Sequence, residues 1–261
     1  MRPRTKELLY LMLWTFETLS RPSFRNLGES FEGWAYRRGF LGRLHELEAM
    51  KFIERRDSGL QRLFRLTESG RLLALGGVDP DLRWNRRWDG KWRLVVFDVP
   101  NRETRLRNQL RNQLRSAGYG WLQNSVWISP DRLKLDRSFL KSTKIDVELL
   151  MLWEASPVAG ESNSDIVRGA WNFERIDDLY REHDEILNQL SRASSLNPAD
   201  ARRLLEWKRT EQAAWEAATN EDPMLPSVLL PPGYRGRKAW ARRQHVLGKL
   251  GEYLHHSPLK S

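Results

Sequence analysis

A chain of 261 residues is long for one small domain, so two or three domains are expected. With 40% hydrophobic and 30% charged residues, 12 Trp and 9 Phe among them, it can fill packed cores and is far from a disordered profile. Zero Cys removes disulfides, thiolate metal sites and Cys nucleophiles together, and a net charge of +10 asks for an anionic partner, nucleic acid or a membrane surface. No apolar run approaches the roughly 18 residues of a membrane-spanning helix. The opening Met1-Arg2-Pro3-Arg4 is followed by Glu7 and Glu17 and shows no small-residue cleavage site, so no secretory leader is expected. The expectation is a soluble cytoplasmic protein. Residues 1–80 carry 14 Lys/Arg against 10 Asp/Glu, residues 81–157 carry 15 against 9, and residues 158–261 carry 15 against 15. The anion-binding surface is therefore expected in the first 157 residues.

From Thr5 to Leu19 the apolar residues Leu8, Leu9, Leu11, Met12, Leu13, Phe16 and Leu19 predict a largely buried helix with Thr5 as N-cap. Ser20-Arg21-Pro22-Ser23 breaks it, a short helix follows near Phe24 to Phe31, and Gly33 turns the chain. The next helix, about Ala35 to Met50, places Leu41, Leu44 and Leu47 on one buried face and Tyr36, Arg37, Arg38, Arg43 and His45 on the other. FIERR (52–56) reads as a strand, Asp57-Ser58-Gly59 as a turn, and Gln61 to Leu66 as the returning strand. LTESGR (66–71) starts a helix capped by Thr67 that runs to Leu75.

This succession makes a winged helix-turn-helix over residues 1–80. A leucine-rich helix running into FIERR, a hairpin and LTESGR resembles the winged-helix repressors. A helix with a basic N-terminal half can read base edges in the major groove, which assigns Tyr36, Arg37, Arg38 and Arg43 to DNA. Arg55, Arg56 and Arg62 on the wing are assigned to phosphates, where they fix register. The bland alternative is a winged helix whose arginines form a solvated face used in protein contacts. His45 reads as a surface side chain rather than a metal ligand.

Residues 76–90 read as a linker, with Gly76-Gly77 and an Asp79-Pro80 step. WRLVVFDV (92–99) is the strongest strand of the chain. A helix opens near Asn101, with Leu106, Leu110 and Leu114 every fourth residue and Arg102, Arg105, Arg107, Arg111 and Arg115 on its outer surface, and Gly118 is its C-cap. Strands are predicted at 120–123, 125–129 and 146–153, with a helical turn near Arg137 to Lys141. The order βαββαβ is ferredoxin-like, over residues 88–157.

WRLVVFDVP, an Arg-rich helix and LQNSVWISP (122–130) resemble the middle domain of the phenylacetic-acid degradation repressor family, the PaaX-like transcriptional regulators. They are also similar to the ferredoxin-like nucleases of CRISPR adaptation. In those nucleases an Asp at the end of the first strand is tied to metal-dependent cleavage, and Asp98 occupies that place. One carboxylate per chain cannot build a two-metal site unaided, so Asp98 is expected to cap the helix beginning near Asn101.

The last segment, 168–256, is expected to be all-helical and regulatory. Trp171, Ile176, Leu179, Tyr180, Leu187 and Leu190 mark a helix from about Asn172 to Arg192, a second runs from about Ala199 to Ala218, and a third from about Arg237 to Leu254. DPMLP (222–226) and LLPPGYRG (229–236) before the third helix resemble the C-terminal domain of the same family. That resemblance implies an effector, an aryl-acyl thioester of coenzyme A, although the chain has no glycine-rich phosphate loop. Trp153, Trp171, Trp207, Trp215 and Trp240 either line an aromatic pocket or fill cores, and cores are the ordinary use. Arg235, Arg237, Lys238, Arg242 and Arg243 read as a solvated face, and His255-His256 as a frayed tail rather than a metal site.

The expectation is thus an α+β multidomain protein acting as a sequence-specific repressor. Its expected partners are an operator in double-stranded DNA and a second copy of itself joined through the middle domain. No catalytic residue, metal, cofactor or membrane partner is expected. The alternatives are a metal-dependent nuclease acting through Asp98 and a winged-helix adaptor that binds protein.

Overall fold

The computed structural model describes residues 41–58, 61–75, 77–99, 103–132, 150–191 and 201–256. They divide into two compact units, one drawn from 41–79, 186–209 and 238–256, the other from 80–185 and 210–237. The molecule mixes helices with antiparallel sheets, and among the described residues no helix is long and apolar enough to cross a membrane.

In the first unit, helix α1 (Leu41–Ala49) buries Leu44 and Leu47, three residues apart on one face. Strands β1 (Ile53–Ser58) and β2 (Gln61–Leu66) form an antiparallel ribbon, and helix α2 (Glu68–Ala74) follows. The helices expected before residue 41 lie outside the described residues.

In the second unit, helix α3 (Pro80–Trp84) occupies what reads as a linker in the sequence. Proline at a first helical position is preorganised, and Trp84 is fully buried with its indole N–H donating to Tyr234 Oη at 2.9 Å. The Gly and Asp-Pro signals hid a tryptophan-anchored turn. After it come β3 (Trp92–Phe97), α4 (Thr104–Ser116), β4 (Gly120–Gln123), β5 (Val126–Ser129) and β6 (Leu150–Ala155). The sheet order β4-β5-β3-β6, antiparallel throughout, is that of a ferredoxin-like βαββαβ sheet. The second helix of that pattern, expected near Arg137 to Lys141, lies outside the described residues.

Alternation along β3 gives the sheet two buried faces. Val95 and Phe97 join Trp127, Tyr119 and the α4 leucines Leu110 and Leu114. Trp92 and Ile128 on the opposite face meet Val167 and Ala170 of helix α5 (Asn163–Ala170) together with Leu225 and Leu229. Helix α5 was absent from the sequence reading, although Ser162 caps it by accepting the Asp165 N–H at 3.1 Å. A side chain at Gly120 would meet Trp171 at 2.6 Å, so this glycine admits the end of α5 onto the sheet. Helices α6 (Phe173–Ser191), α7 (Ala201–Glu221) and α8 (Gly236–His256) complete the chain, and each contributes residues to both units.

The DPMLP…GYRG segment is an anchor within the second unit. Buried Asp222 accepts the Tyr180 hydroxyl at 2.6 Å, the Tyr234 hydroxyl, and the Met224 N–H at 2.8 Å. Burial pushes the carboxyl up from its ordinary range, against the pull of these three donors. Arg86 holds Asp131 through two bonds of 2.7 and 2.9 Å and also donates to the Met224 carbonyl, and Ser227 Oγ donates to the Trp84 carbonyl at 2.7 Å.

Candidate nucleic-acid interface

The α1–β1–β2–α2 arrangement is locked at three points. The first is the end of α1. The Phe52 N–H reaches Leu47 O and the Lys51 N–H reaches Glu48 O, both at 2.9 Å, with Lys51 at φ 58. This is a Schellman motif with lysine where glycine is usual. The second is Thr67, whose hydroxyl donates to Lys51 O at 2.8 Å and accepts from the Gly70 N–H at 3.1 Å. The third is Gly70, where an added Cβ would lie 1.9 Å from Phe52 O. The threonine and glycine of LTESGR therefore seat α2 on the α1–β1 junction, and Arg71 of the same motif pairs with Asp79 at 3.6 Å.

Arg43 lies on α1, half-buried, with its guanidinium on Glu46 at 3.0 Å. His45, two residues on, is exposed. Tyr36, Arg37 and Arg38 lie outside the described residues. Arg55 is exposed on β1 and pairs in register with Phe64, while position 56 pairs with Leu63 and position 62 with Asp57. Alternation puts positions 55 and 62 on the face of the ribbon that holds buried Ile53 and Phe64, and position 56 on the opposite face. The three wing arginines are thus not equivalent, a distinction that adjacency in FIERR conceals.

In the second unit Asp98 follows β3 and is exposed. It does not cap α4: the helix starts at Thr104, and its N-cap position is Glu103, which makes no side-chain cap bond. The capping expectation is thereby corrected. The apolar stripe Leu106, Leu110 and Leu114 starts the helix later than the Pro100-Asn101 punctuation suggested. Among the described residues, no group of three or more His, Asp or Glu comes together as a metal site.

The tryptophans of the second unit are dispersed: Trp171 packs at a tilt on Trp92, Trp215 packs on Tyr180 and His183, and Trp153 is exposed. The expected solvated face holds for Arg235, Arg237 and Lys238, which are exposed, Arg237 donating to Asn85 and Ser227, each at 3.0 Å. It is corrected for Arg242, half-buried and donating to Asn188, and for Arg243, fully buried. The signal missed in the sequence is spacing, because Trp240, Arg243 and Leu247 recur at threes and fours and share one buried side.

A ferredoxin-like sheet in one unit and a helix with a two-stranded ribbon in the other make this an α+β protein. Residues 85–167 match the family model of the PaaX protein central Cas2-like domain. The resemblance carried by WRLVVFDVP and LQNSVWISP is therefore shown, and the chain is PaaX-like in its central domain. PaaX-like proteins are transcriptional regulators, so regulation is the function class to which this likeness points. Among solved structures the chain is similar to the uncharacterized protein Rv0674 from Mycobacterium tuberculosis, at 20% identity, with 95% of each chain covered and a TM-score of 0.55. At that identity the likeness speaks for the fold alone. No curated protein matches the sequence.

Proposed function

We propose that the chain is a sequence-specific DNA-binding repressor that works as a homodimer. The carrying observation is the locked α1–β1–β2–α2 arrangement, which holds a helix and an arginine-bearing ribbon at fixed geometry in a PaaX-like chain. In this reading residues 1–80 form a winged helix-turn-helix. The helix carrying Tyr36, Arg37, Arg38 and Arg43 reads the major groove, and Arg55, Arg56 and Arg62 grip phosphates. Arg43 must exchange Glu46 for DNA, and an i,i+3 ion pair along one helix resists by only about 0.2–0.5 kcal/mol.

The dimer contact is assigned to β6, an edge strand with Met151, Leu152 and Trp153 51–58% exposed on its two faces. An exposed apolar edge invites pairing with a second copy about a two-fold axis. The helical segment 168–256 is assigned the regulatory role, with an aryl-acyl-coenzyme A as releasing effector, which rests on the family resemblance. The chain is read as a cytoplasmic non-enzyme without cofactor.

The test is selection of bound sequences from a random duplex pool by the full-length chain. The selected site is then titrated with phenylacetyl-coenzyme A in a mobility-shift assay. Enrichment of a two-fold-related site, released by the thioester, is expected; enrichment of none removes the repressor reading.

One observation favours a second reading, a metal-dependent nuclease: Asp98 is exposed at a strand end and free of the capping role. Incubation of single-stranded RNA and double-stranded DNA with the protein and Mg²⁺ or Mn²⁺ separates the two. Cleavage that vanishes in Asp98→Ala would make the nuclease reading first.

A further inference from the structure

We infer that the outer face of helix α4 is a second DNA-contacting surface, which holds the phosphodiester backbone of duplex DNA independently of the proposed wing. The inference rests on reading the chain as a DNA-binding protein and adds a contact to the central domain.

Helix α4 reads TRLRNQLRNQLRS, with the tetrad Leu-Arg-Asn-Gln repeated from Leu106 to Gln113 and resumed at Leu114-Arg115. A four-residue repeat on a 3.6-residue helix keeps each residue type in its own slowly drifting row. The leucine row is spent on the core, where Leu110 and Leu114 are buried. The drift carries the arginine row outward, from half-buried Arg107 and Arg111 to exposed Arg115. Arg107 is engaged with the Val99 carbonyl. The opposite side is an open, shallow surface lined by Thr104, Arg105, Asn108, Gln109, Asn112 and Gln113.

The thirteen residues carry four arginines and no acidic side chain. That charge selects the occupant. A second copy of α4 would bring four more positive charges against these four. A bilayer would need apolar side chains on the outer arc, which holds only Thr, Arg, Asn, Gln and Ser. A phosphodiester backbone supplies the missing anions, and amide side chains donate to phosphate oxygens beside the guanidinium groups. Arg105 and Arg115 stand ten residues apart, about 15 Å along the helix, which matches roughly four base-pair steps of duplex.

The experiment measures binding of the full-length chain to a random-sequence 24-base-pair duplex over a NaCl series. Arg105→Gln with Arg115→Gln is expected to flatten the slope of log affinity against log salt by about 1.8, since each lost phosphate contact removes about 0.9. Arg105→Lys with Arg115→Lys keeps the slope. Asn108→Glu with Asn112→Glu, which leaves every arginine in place, lowers affinity and guards against a folding artefact. A wing variant, Arg55→Gln, Arg56→Gln and Arg62→Gln together, is run in parallel. A slope that responds to the wing variant and to neither α4 variant overturns the α4 surface and leaves the repressor reading standing. Loss of poly-glutamate binding with an unchanged duplex slope assigns the face to an acidic protein and overturns the inference. If the unmutated chain binds no duplex, both readings fall.

Discussion

Asp222 is a buried carboxylate whose partners are two tyrosine hydroxyls and one backbone N–H. Replacing it with Asn removes a charged acceptor and presents an NH₂ group to hydroxyls that must then turn away. Asp222→Asn is expected to cost about 2–4 kcal/mol in denaturant unfolding, since hydrogen bonds to charge and the burial of mismatched donors add. Lys51 is the opposite case. Its φ of 58 is a left-handed conformation in which a side chain is strained, so Lys51→Gly is expected to raise stability by up to about 1 kcal/mol. A loss of stability in that variant would mean that the lysine side chain makes a compensating contact. Asp98→Ala, with no cap to lose, should change stability by no more than about 0.5 kcal/mol. Asp89 titrates in a known direction. Its bond to the Arg93 guanidinium holds the carboxyl below its ordinary value of 3.8, so the stabilisation is complete above that pH and is lost as the pH falls from there. Asp89→Asn should therefore show a shallower acid-unfolding limb than the unmutated chain, and identical limbs would remove the Arg93 bond from the account.

Among elements, those with a clean period were legible and those held by tertiary contact were not. β3 and α4 stand out because WRLVVFDV is a nearly continuous apolar run and the α4 leucines recur at fours, whereas the sequence places Ser125 in a strand that the structure starts at Val126, after a two-residue turn with Asn124 at φ 42. Gly118, at φ 82 with its N–H on Arg115 O, closes α4 one residue beyond its C-cap Ala117, where the sequence placed the cap at the glycine itself. Helix α3 was read as linker because its fixing residue, Trp84, bonds to Tyr234, a partner 150 residues away. Helix α5 has a readable Ser162-Asn163-Ser164-Asp165 start signal, but its eight residues offer too short a periodic apolar pattern to predict it from sequence. The glycine of LTESGR was legible as motif but not as cause, since its reason is the Phe52 carbonyl. Gly70→Ala is accordingly expected to cost about 1–3 kcal/mol or more, read as a lowered melting temperature, because backbone rather than a yielding side chain meets the new methyl. In the proposed DNA site the legible part was charge: arginines on the ribbon and on α1. Their pleat positions and the Arg43–Glu46 pair depended on register and geometry that no single sequence displays.

For the whole molecule, the described residues gather into two units that draw on distant stretches of chain, and each of the three long helices is one continuous pattern in sequence that contributes to both. The dimer is argued at this scale. Leu152→Asp with Trp153→Asp should halve the mass in sedimentation equilibrium while leaving the circular-dichroism spectrum unchanged; a dimer that persists would move the contact away from β6. The repressor reading itself meets its most direct test in selection from a random duplex pool followed by titration of the winning site. The account predicts one two-fold-related sequence bound at about 10⁻⁸–10⁻¹¹ M and at least about 10³-fold more tightly than random duplex. Equal affinity for every duplex, or none for any, would contradict it.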